Sequence, residues 1–458
     1  MPHFGAIVIG SGQAGPSLTA RLTGAGMSVG FIEREHFGGT CVNDGCTPTK
    51  ALVASAQVAH MARRAGDYGV RVPPPIEVDM RAVKARKDAI SGRSRTGVEN
   101  WLRGMRGCAI FWGQGRFTGP KSVSVNGESL TADKIFINVG ARPSVPPIPG
   151  LDQVPYLTNT SMMAVDFLPA HLVILGGSYV GLVFAQMYRR FGSAVTLIEA
   201  QPRLIAREDE DVSAEVARIL EREEIALRLG AKALSVARQH NGIAVTIETP
   251  QGRAEIEGTH LLVAIGRRPN TDDLGLDQAG VAVDAHGYIT VDDQLRTNVP
   301  GIWALGDCNG KGAFTHTSYN DYEIVAANLL DNDHRRLSDR IMAYALYIDP
   351  PLGRAGLSQA EVRKSKRPAL VADWPMERVS RAFERGETQG FMRILVDRDS
   401  KQILGASLLG LSADEVIHVV LDLMYAKAPY TTLQRAMHIH PTVSEYLPTM
   451  LGSLKPLA

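Results

Sequence analysis

Cysteine is scarce, with four residues in a chain of 458, too few for a disulfide scaffold. In a reducing compartment a close pair among so few reads as catalytic or metal-binding. Net charge is almost absent, 49 basic against 48 acidic side chains, which offers no electrostatic ground for nucleic acid or an anionic membrane surface. Long apolar runs are missing too: stretches such as His171–Leu175 fall far short of the roughly 20 residues a membrane-spanning helix needs. The opening Met1–Gly10 runs straight into an apolar strand, without a basic region, a long apolar core or a small-residue cleavage site. A cytoplasmic protein with neither membrane nor nucleic acid as partner is therefore expected. What is present is length for about three domains of ~150 residues each.

Two segments share one pattern of apolar run, glycine-rich turn, helix and second strand ending in an acid. The first runs from Ala6 through Gly15 to a strand closing at Glu33; the second runs from Leu172 through Gly181 to a strand closing at Glu199. This duplication predicts two dinucleotide folds. Asn126-Gly127 signals a hairpin, and the prolines of Pro143–Gly150 mark a crossing into the second fold. A strand from Leu261, leading into Gly266-Arg-Arg-Pro-Asn270, is expected to return the chain to the first. From about residue 340, proline-bounded strands and an amphipathic helix over Ala413–Lys427 predict a third, α+β domain.

Gly10-x-Gly12-x-x-Gly15 follows a strand and opens a helix, with Glu33 placed for a ribose. Such glycines let the backbone approach a pyrophosphate, and the helix N-terminus supplies partial positive charge. The second turn, Gly176-Gly-Ser178-Tyr179-Val-Gly181 with Glu199, carries serine where the middle glycine would stand. Glu199 favours a free ribose 2′-hydroxyl, hence NADH over NADPH, while Arg203 and Arg207 keep the 2′-phosphate form open.

Gly38-Gly-Thr40-Cys41-Val-Asn-Asp-Gly-Cys46-Thr-Pro-Thr-Lys50 is the most informative stretch. Zinc takes tighter cysteine pairs plus a second pair, and Cys108 and Cys308 stand alone, so no metal site is expected.

These motifs together resemble the flavoprotein disulfide reductases, the group of glutathione reductase and dihydrolipoamide dehydrogenase, over almost the whole chain. The resemblance implies FAD on the first glycine turn and the nicotinamide coenzyme on the second. Cys41 would be the interchange thiol, and Cys46 the thiolate lying against the flavin, with Lys50 beside it. Gly306-Asp307 resembles the group's second FAD motif, whose aspartate holds the ribityl chain, and Thr40, Gly140 and Gly266 join the cofactor-binding set. His440 with Glu445 resembles the C-terminal acid/base pair, which in that group serves the partner subunit's cysteines, so a homodimer is implied. The implied fold class is α/β: two Rossmann-like dinucleotide-binding domains plus a C-terminal α+β dimerisation domain. The expected limits are 1–145 and 271–338 for the FAD-binding domain, 146–270 for the NAD(P)-binding domain and 339–458 for dimerisation.

One departure bears on activity. The group carries glutamate where this chain has Val183, and that glutamate pairs with the lysine equivalent to Lys50; Tyr179 matches its aromatic gate over the nicotinamide pocket. Valine cannot pair, which puts hydride transfer in doubt. The C-terminal stretch Leu447–Ala458 lacks the cysteine pair of mercuric reductases, so efficient mercury reduction is not expected. Parts of the last third, such as Asp349–Gly353, look more like the branch that includes hypothiocyanous acid reductases. The expected activity is electron transfer from NAD(P)H through FAD and the Cys41/Cys46 couple to a small disulfide or thiol-reactive oxidant. The alternatives are a dihydrolipoamide dehydrogenase, a metal-ion reductase, a low-turnover redox sensor, and an oxidase or diaphorase in which the cysteines are incidental.

Overall fold

The apolar run His3–Ile9 forms the middle of a sheet because both of its faces find cover. Ala6 and Val8 pack with Leu18, Leu22 and Phe31 on one side. Ile7 and Ile9 pack with Phe117, Val123 and Ile135 on the other. The structure is a computed structural model that describes residues 1–457. Its chain divides into two units, the first made of 1–146, 157–167 and 266–340, the second of 147–156, 168–265 and 341–458.

In the first unit, Cys108–Trp112, Val29–Glu33, His3–Ile9 and Glu128–Ile137 lie side by side in parallel, and Ile302–Ala304 also pairs with Glu128–Ile137. Ser122–Val125 turns back at Asn126 (φ 49°) to pair with Glu128–Thr131, the expected hairpin. The helices Ala14–Gly24 and Thr315–Leu330 pack together, as do Cys46–Arg63 and Met80–Arg103. Where the chain leaves this unit, Ala141–Pro143 pairs antiparallel with Arg267–Pro269, where it returns. The segment 157–167, inside the 146–270 range expected for the second domain, groups with the first unit instead. Buried Lys87 donates to the Met163 carbonyl at 2.6 Å, and Thr160 donates to Asp44 at 2.7 Å.

In the second unit, Ala226–Leu229, Ala194–Glu199, His171–Leu175 and His260–Val263 form a parallel sheet. The hairpin strands Lys232–Gln239, Gly242–Thr249 and Gly252–Gly258 form a separate antiparallel sheet. Residues beyond 341 build a six-stranded antiparallel sheet whose core includes Ile394, Ala406, Leu408 and the buried stripe Val416, Ile417 and Val420 of one helix. That helix was expected to reach Lys427 but spans Ala413–Tyr425, because Lys427 takes a left-handed conformation (φ 51°) that ends the turn. Among the described residues no helix is long and apolar enough to cross a membrane.

Candidate active site

Two short elements carry the cysteines: Gly39–Asn43 holds Cys41, and Cys46 opens Cys46–Arg63. Gly45 joins them, and only glycine fits there, since a Cβ would stand 2.7 Å from the Thr40 carbonyl oxygen. The loop is braced from within by Asn43, whose amide donates to the carbonyls of Phe37 at 3.0 Å and Gly39 at 2.9 Å. The two thiols hydrogen-bond to each other, and Cys46 Sγ lies 3.2 Å from the hydroxyl of Thr315, at the start of Thr315–Leu330.

The two sulfurs titrate as a couple with one shared proton. The bond from Cys41 holds the Cys46 thiol well below the ordinary range, helped by Thr315 and Lys50 and opposed by burial. Cys41 is pushed far up by the same bond and by burial, so it keeps the proton while Cys46 carries the charge. Lys50 follows Cys46 by one helical turn; burial lowers its ammonium, and the negative sulfurs pull it back up. An acidified thiol beside a lysine is the environment that makes a cysteine reactive. Thr315 escaped the sequence reading because no local pattern links it to residues some 270 positions earlier.

At the first glycine turn, Gly10 adopts φ 101° and a Cβ there would sit 2.4 Å from the Asn138 carbonyl oxygen. Gly15 donates its N–H to the Gly12 carbonyl at 3.0 Å. One Glu33 oxygen accepts from the Ser11 N–H at 2.9 Å and its hydroxyl at 2.5 Å, and the other accepts from the N–H groups of Arg34 and Glu35, each at 2.8 Å. Glu33 thus locks the turn, its carboxylate lone pairs taken by these four donors. No side chain caps the following helix Ala14–Gly24; with the Gly15 N–H on Gly12 and none on Pro16, the remaining N–H groups at its start can face a pyrophosphate.

Asp307 lies in the same unit, paired with Arg267 at 3.0 Å; burial raises its carboxyl and Arg267 opposes that. Buried Asp321, absent from the sequence-derived set, accepts from the Gly306 N–H at 2.8 Å and from Asn309 at 3.0 Å, and is paired with Arg340. Gly140 (φ 67°) accepts from the Asn270 N–H at 3.0 Å, and Gly266 (φ 133°) from the Ser144 N–H at 2.9 Å. Both glycines therefore flank the paired strands of chain exit and return. An open helix start, a partly buried aspartate and a glycine-lined turn fit a flavin dinucleotide.

The second turn, in the other unit, repeats the device. Gly176 has φ 112°, a Cβ on Gly181 would stand 1.9 Å from the Gly176 carbonyl oxygen, and Glu199 accepts from the Gly177 N–H at 2.6 Å. Ser178 is exposed and starts Tyr179–Phe191 without capping it, and Val183 is buried in that helix. Arg203 is paired with Glu210 at 3.3 Å and donates to the Ala206 carbonyl at 3.0 Å. Also in this unit, His440 Nδ1 lies 2.9 Å from Glu445 Oε2. The imidazole is three-quarters exposed (75%) while Glu445 is largely covered (16%), so the carboxylate orients a ring that faces outward. Among the described residues no group of three or more histidine, cysteine or acidic side chains is arranged to hold a metal.

Comparison with known proteins agrees with this arrangement. The pyridine nucleotide-disulphide oxidoreductase profile matches residues 4–321, and the dimerisation domain of the same proteins matches 342–451. The chain belongs to the pyridine nucleotide-disulphide oxidoreductase family. It is 34% identical to the probable pyridine nucleotide-disulfide oxidoreductase RclA of Escherichia coli, covering 99% of this chain and 100% of that one. It is also 34% identical to a mercuric reductase of Streptomyces lividans (96% and 94% covered) and 32% identical to a dihydrolipoyl dehydrogenase of Thermus scotoductus (98% and 96%). A solved structure, the Cu(II) complex of the HOCl-induced flavoprotein disulfide reductase RclA from Escherichia coli, superposes with a TM-score of 0.90 at 34% identity, covering 99% of this chain and 100% of that one. The protein is thus a flavoprotein disulfide reductase, an FAD-dependent oxidoreductase working with a pyridine nucleotide, and its fold class is the mixed α/β expected, with a dimerisation domain.

Proposed function

We propose that the protein takes electrons from NADH and delivers them through Cys41 and Cys46 to a small disulfide or thiol-reactive oxidant. The observation that carries this reading is the pair of thiols held together on the Gly39–Asn43 and Cys46–Arg63 elements, with Cys46 Sγ 3.2 Å from the Thr315 hydroxyl and Lys50 one turn on. FAD, held by the first glycine turn and Asp307, would supply two-electron exchange between the nicotinamide and the sulfur pair. Cys41 holds its proton tightly, so it needs a base before it can attack. His440, oriented by Glu445 and exposed for a partner subunit, is suited to take that proton. Cys41 then bonds to one sulfur of the oxidised substrate, and the leaving thiolate receives the proton from His440. Cys46, already a thiolate, attacks the Cys41 sulfur, expels the second sulfur as a thiolate that takes its proton from solvent, and closes the Cys41–Cys46 disulfide. Two electrons reopen it.

The Glu199 carboxylate and the engagement of Arg203 by Glu210 support NADH over NADPH. A homodimer is supported by the dimerisation-domain match and by bare apolar side chains near the histidine, Met437 (98% exposed) and Ile439 (81%). The relatives act on different acceptors, and the one described as HOCl-induced favours an oxidant over lipoamide. Buried Val183 favours a second reading, slow turnover as a redox sensor, and a steady-state panel of disulfides, lipoamide, Hg(II) and hypothiocyanous acid separates the two. The main reading is tested by anaerobic titration with NADH. Wild type should show a long-wavelength charge-transfer band at two electrons, and Cys46→Ser should lack it. A band persisting in that variant, or a colourless protein that takes up no flavin, refutes the assignment.

A further inference from the structure

Glu208 is fully buried, with its side chain 0% exposed, at the end of the loop that follows the Glu199 strand. Its Oε1 accepts from two tyrosines, whose hydroxyls also hydrogen-bond to each other. Tyr179, the first residue of the helix after the second glycine turn, donates its hydroxyl at 3.4 Å. Tyr344, on the first strand of the C-terminal sheet, donates to the same oxygen through a shorter bond. The two rings meet edge to face with centroids 5.5 Å apart. Oε2 is paired with Arg354 Nε at 3.2 Å, and Arg354 is itself buried and anchored on the Ala406 carbonyl at 2.9 Å. The next acids continue the connection: Asp209 accepts from the N–H groups of Gln359 and Ala360, and Asp211 pairs with Arg393.

A carboxylate without solvent, fixed by an arginine on one oxygen, leaves the other as a rigid acceptor. For Tyr179 to move, its ring must leave both that oxygen and the Tyr344 ring. We propose that Glu208 and Tyr344 are positioning residues for Tyr179, setting how readily the nicotinamide end of the coenzyme docks at the second glycine turn. This rests on reading that turn as the coenzyme site, and extends it by tying nicotinamide binding to the C-terminal domain. Burial raises both tyrosine hydroxyls, so they stay neutral donors at physiological pH.

Because the tyrosines share one acceptor, removing each hydroxyl has opposite consequences. Tyr179→Phe keeps the ring but frees it from Glu208, and should tighten binding of the whole coenzyme. Tyr344→Phe removes the stronger competitor, lets Tyr179 bind Oε1 more closely, and should weaken binding. A hydrogen bond to a charged group corresponds to about tenfold in affinity or more. Calorimetric titration of the flavin-loaded protein with NAD+, and separately with ADP-ribose, which lacks the nicotinamide, reads this without turnover. Opposite shifts with NAD+ and no shift with ADP-ribose support the proposal. Shifts of the same sign, equal shifts with both ligands, or none beyond about twofold overturn it. Wild type binding neither ligand would instead remove the coenzyme site itself, and the proposal with it. The phenylalanine pair is preferred to Glu208→Gln, which leaves Arg354 buried without its counter-charge and endangers folding.

Discussion

The two glycine turns use one device and differ at the middle glycine of the motif. In both, the first glycine takes a positive φ against the carbonyl of a neighbouring strand, the last packs on the first, and an acid from the second strand accepts an N–H from within the turn. The middle position is glycine at 12 and serine at 178. A Cβ on Gly12 would meet Asn138 at 3.1 Å, and one on Gly39, in the segment leading to Cys41, would stand 2.8 Å from the Gly12 Cα. The first turn is crossed by the segment that carries the redox thiol, while Ser178 is exposed. At position 12 glycine is demanded by the Asn138 side chain and the Gly39 segment as well as by the nucleotide, whereas the 204–205 loop packs on Gly177 and leaves position 178 exposed, where serine is tolerated.

The largest effect that could break this comparison belongs to Gly12→Val. It should lose most of its flavin, read as the ratio of flavin to protein absorbance, whereas Ser178→Gly should change coenzyme binding by no more than about 0.5 kcal/mol, the size of an ordinary surface substitution. Full flavin content in Gly12→Val would mean that the first turn is as open as the second.

His440→Gln should slow disulfide turnover by roughly 10²- to 10⁴-fold, the usual contribution of a positioned acid/base, while leaving reduction of the flavin by NADH intact. Equal loss in both half-reactions would argue for a folding defect. Thr315→Val removes a donor to the Cys46 thiolate and should raise the pH at which the charge-transfer band develops by about one unit, since a bond to a charged group contributes roughly 1.5 kcal/mol. The sign follows because the neutral thiol needs that donor less than the thiolate does; a downward or absent shift would remove Thr315 from the site.

The smallest effect bears on the second turn. Val183→Glu, which supplies the acid that the related reductases carry at this position, should speed flavin reduction in stopped-flow traces by a few-fold; a few-fold corresponds to less than about 1 kcal/mol. A lowered melting temperature with no gain in rate would show instead an unpaired buried acid.

The two nucleotide folds and the thiol loop were legible in local spacing, glycines two to five apart, an acid at the end of the next strand and cysteines five apart, whereas the His440–Glu445 pair was expected only from the resemblance to the reductase family. The helix end at Tyr425 was not legible, because Lys427 could continue a helix as readily as break one. Nor was the place of segment 157–167, which groups with the first unit through Thr160–Asp44 and Lys87–Met163 contacts made over long sequence separations. Local chemistry alone determined which residues could bind nucleotides and exchange electrons. The tertiary structure decided what the thiol pair bonds to, Thr315, and what restrains Tyr179, through Glu208, Tyr344 and Arg354. Hydrogen bonds and desolvation depend on neighbours in space, and the chain brings Thr315 to Cys46 and Tyr344 to Glu208 from more than a hundred residues away.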